Sequence, residues 1–194
     1  MVWSSTAETR TAEIGSRSER LFRVGRLVSL RAENYRQRGL LDDAAESYAT
    51  YEALSRARGR STALVLLNQG LLEVDRGDLP AAAEMITASL VALKREGRTQ
   101  LVGAAHLTLL PCVAAADDWE AWDLHYEAAT RLIRESGLVE RDVATTAELA
   151  GTKARARPGK AIAILAFAAE QWSAMGMGDE AERVRAQILS MREP

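Results

Sequence analysis

The side chains best suited to chemistry are sparse in this sequence. Its two histidines, His106 and His125, fall in different predicted helices, and its single cysteine, Cys112, lies between them. A zinc site draws three or four ligands together, so two distant histidines favour partly buried core positions instead. Cys112 sits in an apolar run, whereas a nucleophilic thiolate needs a base and an electropositive pocket. Both patterns predict packing, with no metal site and no catalytic thiol.

Carboxylates are concentrated around one predicted turn and the helix that follows it. The members of this acidic group are Asp117, Asp118, Glu120 and Asp123. A carboxylate pair in acid–base chemistry needs a pocket that drives the two pKa values apart. At the start of a helix, such residues act as caps and solvated charges. No motif unites a nucleophile, a base and an acid, so the sequence predicts that the chain is not an enzyme and binds no cofactor.

Two further groups of side chains could form a recognition surface. Trp119, Trp122 and Tyr126 follow the spacing i, i+3, i+7, which places them on one face of a helix. Core packing explains this spacing, and an aromatic binding surface is the alternative. The first predicted helix is rich in arginine: Arg17, Arg20, Arg23, Arg26, Arg31, Arg36 and Arg38. Its face is either solvated and paired within the molecule or a binding surface for acidic peptide or phosphate.

Composition limits the class of protein. Apolar residues make up 47% of the 194 positions, which can fill the core of one domain. Strong helix formers dominate, and only four prolines could interrupt helices. A net charge of −2 argues against a dedicated nucleic-acid binder. A single cysteine cannot form an internal disulfide, and no apolar run is long enough to cross a membrane, so we expect a cytoplasmic protein.

A recurring turn segment divides the chain into helix pairs. The segment at 39–44 (GLLDDA) returns in outline at 77–82 (GDLPAA) and, more altered, at 117–122 and 156–161. Each copy separates two apolar helical runs, so each predicts the turn within a helical hairpin. Helical hairpins that recur at the spacing of these turn segments predict an all-α solenoid, in which each hairpin buries its apolar face against the next.

Glycines and prolines set the predicted domain boundaries. Residues 1–17 are expected to be a polar N-terminal arm, and residues 18–191 a helical-repeat domain. Antiparallel hairpins are predicted near 18–57, 62–96, 99–136 and 140–175, followed by a capping helix at 178–191, which gives about nine helices. Pro111 removes a backbone donor within the fifth helix and predicts a kink or an early end there.

The turn at 77–82, with Gly70 before it and Ile86 after it, resembles the tetratricopeptide repeat. The first hairpin shows the same pattern at Tyr35, Gly39, Ala44 and Tyr48. Four longer segments are similar to the C-terminal repeat region of large myxobacterial-type serine/threonine kinases: 109–129 (LLPCVAAADDWEAWDLHYEAA), 136–139 (SGLV), 147–151 (AELAG) and 170–176 (EQWSAMG). The resemblance covers roughly residues 18–191 and includes no kinase motif.

This resemblance implies a right-handed α-solenoid that serves as a protein–protein interaction or scaffolding module, regulatory in bacterial signalling. In such repeats the first helix of each pair lines a concave groove. The turn alignment then implies ten partner-binding positions: Arg26, Ser29, Glu33, Arg36, Gln37, Leu64, Leu67, Leu71, Val74 and Asp75. A sensor that binds a peptide or small-molecule ligand in the same groove is the alternative.

The first predicted helix also carries an apolar patch that no predicted helix covers. Phe22, Val24 and Leu27 lie towards its outer end, whereas the helix at 178–191 can cap the other end of the solenoid. Such a patch is normally buried against another surface. Besides a protein or peptide partner, we therefore expect a homodimer, formed through the first hairpin or through the apolar groove.

Overall fold

Nine α-helices and no strand make up residues 24–191, the part of the chain that the computed structural model describes. The predicted arm at 1–17 and the start of the predicted first helix lie outside the described residues. The helices are α1 (24–37), α2 (Leu41–Arg56), α3 (Ala63–Arg76), α4 (Leu79–Arg95), α5 (Thr99–Ala115), α6 (Trp119–Ser136), α7 (Arg141–Lys153), α8 (Pro158–Ala174) and α9 (Gly178–Ser190). The predicted all-α class is confirmed.

Short turns fold consecutive helices back on each other. α3 packs on α4, α5 on α6 and α7 on α8, while buried residues of α1 and α2 share one apolar cluster. The first helices of adjacent pairs also touch, α3 against α5 and α5 against α7. The helix pairs therefore stack in the repeat-like order that the turn segments predict, and α9 covers α8 at the end of the stack.

Two of the hairpin turns combine a left-handed residue with a helix cap. Gly77 closes α3 at φ 83°, and the Asp78 carboxylate accepts a 3.1 Å hydrogen bond from the Ala81 N–H at the start of α4. Asp118 caps α6 in the same way. Asp117 has φ 55°, a left-handed conformation that short polar side chains tolerate. The predicted capping role of this acidic group is thus observed for Asp118.

The paired helices cross closely at glycines. A Cβ atom built on Gly70 in α3 would lie 2.4 Å from Cγ1 of Ile86 in α4. The same atom on Gly151 in α7 would lie 2.6 Å from Cγ of Leu165 in α8. No side chain fits into either gap, so glycine allows the two helix axes to approach.

Pro111 does not end α5. The expectation of an early end is wrong, because the helix continues to Ala115 and Pro111 itself is buried within it. The proline removes only one backbone donor and lies near the last turn. Buried neighbours on both sides, Leu110 and Cys112, offset this loss by packing in the core.

Candidate functional site

A cavity of about 560 Å³ opens on the side of the stack that the first helices of the pairs form. We call this cavity the groove. Most of its lining comes from α1, α3, α5 and α7, with Tyr48 of α2, the loop at 138–140 and Met175 beside them. Because each helix pair contributes its first helix, the groove exists only when all four pairs are stacked. Its volume is within the range of ligand sites in proteins.

The floor of the groove is aliphatic. α3 contributes Leu64, Leu67 and Leu71 along one side of the helix, at intervals that keep them on one face. Leu101 and Leu107 extend this surface on α5. Such a surface binds the aliphatic side chains of a ligand by removing them from water.

Two polar side chains of the wall have unused hydrogen-bonding capacity. Thr146 in α7 lines the groove and is only 7% exposed, yet its hydroxyl makes no hydrogen bond with any part of the chain that the structure describes. Asn68 in α3 lines the groove among the leucines, and its amide likewise has no partner within residues 24–191. Asn68 is half-buried, and both side chains line the groove, so their polar groups are available to a bound molecule.

A buried arginine closes the polar end of the groove. The side chain of Arg36 is 7% exposed and donates to Asp75 at 2.8 Å and to Asp142. Asp142 lies in the first turn of α7, 106 residues further along the chain, so this ion pair joins the first helix pair to the fourth. The two carboxylates raise the pKa of Arg36 against the opposing effect of burial, so the guanidinium stays charged.

Glu33 occupies an acidic corner next to this bridge. Burial raises the pKa of Glu33, the charge on Asp142 raises it further, and Arg36 partly opposes the shift. Glu140 adds a smaller effect in the same upward direction. The carboxylate accepts a long, 3.5 Å hydrogen bond from Gln37. This end of the groove is therefore rich in negative charge that residues 24–191 do not fully neutralise.

Seven of the ten predicted groove residues line it: Ser29, Glu33, Arg36, Gln37, Leu64, Leu67 and Leu71. The other three lie elsewhere. Arg26 is exposed on α1, and Val74 is buried in the core with α4 and α5. Asp75 is outside the lining but contacts its wall through the ion pair with Arg36.

Comparison with solved structures finds similarity in fold over nearly the whole chain. No protein-family model matches the sequence, and no curated protein matches it. The crystal structure of BtubC (BKLC) from P. vanneervenii superimposes with a TM-score of 0.57 at 18% sequence identity. The match covers 96% of this chain and 89% of BtubC. At this identity the likeness supports the all-α fold alone.

Several groove residues escape prediction from the sequence. The groove lining includes four residues that the turn alignment does not select: Asn68, Thr146, Glu140 and Asp142. That alignment assigns groove positions only in the first two hairpins. The turn after α7 has Ala156 at the position of the turn glycine, so the repeat pattern is weakest in this hairpin and gives no register there. The only available signal was the position of Asp142 in the first turn of a predicted first helix.

The two histidines meet in the packed α5–α6 hairpin. Their Nδ1 atoms are 2.7 Å apart, so one ring donates to the other. Burial is the main cause that lowers the pKa of His106 to about 4, and the nearby charge of His125 adds to it. Cys112 is buried, which raises the pKa of its thiol to about 11. Within residues 24–191 no three potential ligands lie close enough to hold a metal ion.

The predicted aromatic set packs inward. Trp122 is 1% exposed, and its ring lies 6.0 Å from that of Trp119, which with Tyr126 packs against the main apolar cluster. Of the arginines on the described part of α1, Arg31 lies over the ring of Tyr35 and Arg36 is buried.

None of the helices in residues 24–191 has the length and apolar character that crossing a membrane requires.

Proposed function

We propose that this chain is a tetratricopeptide-like protein–protein interaction module whose groove binds a short peptide segment of its partner. One observation carries the proposal: within the groove, an aliphatic floor adjoins two polar side chains that have no hydrogen-bond partner among residues 24–191. Leu64, Leu67 and Leu71 can take aliphatic side chains, while Asn68 can donate to and accept from a peptide backbone. Thr146 supplies a second contact from the opposite wall.

The biological setting of this proposal rests on the sequence. The similarity of the longer segments to the repeat tails of myxobacterial-type kinases favours a regulatory or scaffolding role in bacterial signalling. A right-handed superhelix and a cytoplasmic location belong to the same proposal. The reduced, buried Cys112 is compatible with that location.

A sensor of a small-molecule or peptide ligand is the second candidate function. The observation that favours it is the groove's volume of about 560 Å³, a size typical of small-ligand pockets. Contributions from all four pairs would let a ligand tighten the stack as a whole. A sensor predicts a thermal shift with a single compound, whereas an interaction module predicts binding to many related peptides.

Selection from a random displayed-peptide library on the immobilised chain tests the proposal. We expect enriched peptides to bind the chain and to lose roughly tenfold or more in affinity to Leu64→Glu, because a charge then lies in the aliphatic floor. Val91→Glu on the exposed face of α4 is the matched control and should bind as the parent does. Failure to enrich any peptide, or equal binding by both variants, contradicts the proposal.

A further inference from the structure

Carboxylates outnumber cations in the polar wall of the groove. Glu33, Glu140 and Asp142 line it, and Asp75 contacts it through Arg36. Only two cationic side chains, Arg36 and Arg141, belong to the described lining. The polar end of the groove therefore holds an excess of negative charge, although the chain as a whole carries a net charge of only −2.

Both of these arginines already contact other side chains of the protein. Arg36 divides its guanidinium between two aspartates, and its side chain is 7% exposed. The guanidinium of Arg141 lies over the ring of Trp172, 5.8 Å from the ring centroid. Within residues 24–191, neither Glu33 nor Glu140 has an ion-pair partner. Two carboxylates thus line the groove without a cation of their own in the described part of the chain.

The position of Glu33 strengthens its effect. Glu33 is half-buried beside an aliphatic surface, where a charge is screened less than it is in open water, whereas Glu140 is exposed at the rim. The groove therefore attracts a cation and repels an anion. Thr146 lines the groove from α7 and is 7% exposed as a residue, yet its hydroxyl has no partner within residues 24–191, which independently indicates that this side of the groove is built to contact a ligand.

We infer that the peptide segment bound in the groove carries a lysine or arginine side chain flanked by aliphatic residues. The basic group pairs with Glu33 and Glu140, the aliphatic neighbours lie on the leucines of α3, and Asn68 and Thr146 bond the peptide backbone. This inference rests on the proposed function, and it further specifies that the bound peptide segment carries a positive charge.

Three pooled libraries of capped aliphatic pentapeptides test the inference, with lysine, glutamine or glutamate fixed at the central position. Their binding to the full chain is measured by NMR line shifts and by competition. We expect the lysine pool to bind roughly tenfold more tightly than the glutamine pool, since a charge-assisted hydrogen bond is gained. The glutamate pool should bind least.

Variants assign the effect to the groove. The double variant Glu33→Gln/Glu140→Gln should lose most of the preference for lysine over glutamate. The control Glu84→Gln/Glu127→Gln changes the net charge equally at exposed positions outside the groove, and should keep the preference. Equal binding of the three pools, a preference for glutamate, or an unchanged preference in the groove variant overturns the inference while peptide binding stands. Absence of binding by every pool overturns the proposed function with it.

Discussion

His106 and His125 face each other across the α5–α6 hairpin with a single shared hydrogen bond. Lys94 and Arg131 lie near enough to oppose a further positive charge on His106, whereas Asp118 favours one on His125. The pair is therefore held neutral in the folded chain. Because the unfolded chain leaves both rings in water, the contact makes the stability of the fold depend on pH.

We expect the free energy of unfolding to fall as pH drops below the ordinary histidine value of 6.5 towards the value of about 4 that His106 has in the fold. In this range the unfolded state binds more protons than the folded state, so acid favours unfolding. The loss between pH 7 and pH 5 should be about 1–2 kcal/mol. Urea denaturation at several pH values measures it.

The double variant His106→Gln/His125→Gln is the control for this prediction. These are the only two histidines of the chain, so the variant should show a much flatter profile between pH 7 and pH 5. Glu33 cannot mimic the effect, because its raised pKa lets the folded state bind a proton first, which favours folding as the pH falls. An unchanged profile in the variant would assign the acid sensitivity to other groups.

At the element scale, the helix order follows closely from local signals. Glycines after most of the apolar runs, and aspartates before two of the helices, mark ends that are set within a few residues, as at Gly77 and Asp78. Pro111 misleads because a buried helix tolerates one missing donor. The local pattern also finds the groove side of α1 and α3, since a face of a helix is fixed by spacing alone.

Gly70 tests the close crossing of α3 and α4. Replacing glycine by alanine within a helix ordinarily stabilises it by up to about 1 kcal/mol. Gly70→Ala should instead destabilise the chain by about 1–3 kcal/mol, because the new methyl group would overlap Ile86. Thermal or urea unfolding measures the change. Gly159→Ala in the first turn of α8, where nothing lies within 4 Å, should be neutral or stabilising. A change in the free energy of unfolding with the same sign in both variants would contradict the close crossing of α3 and α4.

At the scale of the whole molecule, long-range contacts decide what local patterns cannot. The bridge from Arg36 to Asp142 joins residues 106 positions apart, and its existence depends on how far the stack of pairs curves. Small rotations between successive pairs set that curvature, and no spacing along the chain encodes them. Arg36 and Glu33 are accordingly predictable as groove residues, whereas their partners on α7 are not.

The outer edge of α1 is an exposed apolar surface of the described stack. Val24, Leu27 and Leu30 recur every three residues, and the last two are 65% and 53% exposed. The preceding pairs of a solenoid normally cover such an edge, and here the described residues leave it open. A second copy of the chain presents the same edge, so a two-fold pairing would cover both at once.

We expect this edge to form a homodimer that dissociates on dilution, because one helix edge buries less area than the roughly 800 Å² per partner of a stable interface. Light scattering at tens of micromolar should approach twice the 21.2 kDa of one chain. Leu27→Glu/Leu30→Glu should restore the single-chain mass, since charges cannot enter an apolar contact unpaired. Leu124→Glu, at a position 66% exposed on α6, should leave the dimer intact. A mass of 21.2 kDa at every concentration contradicts the pairing.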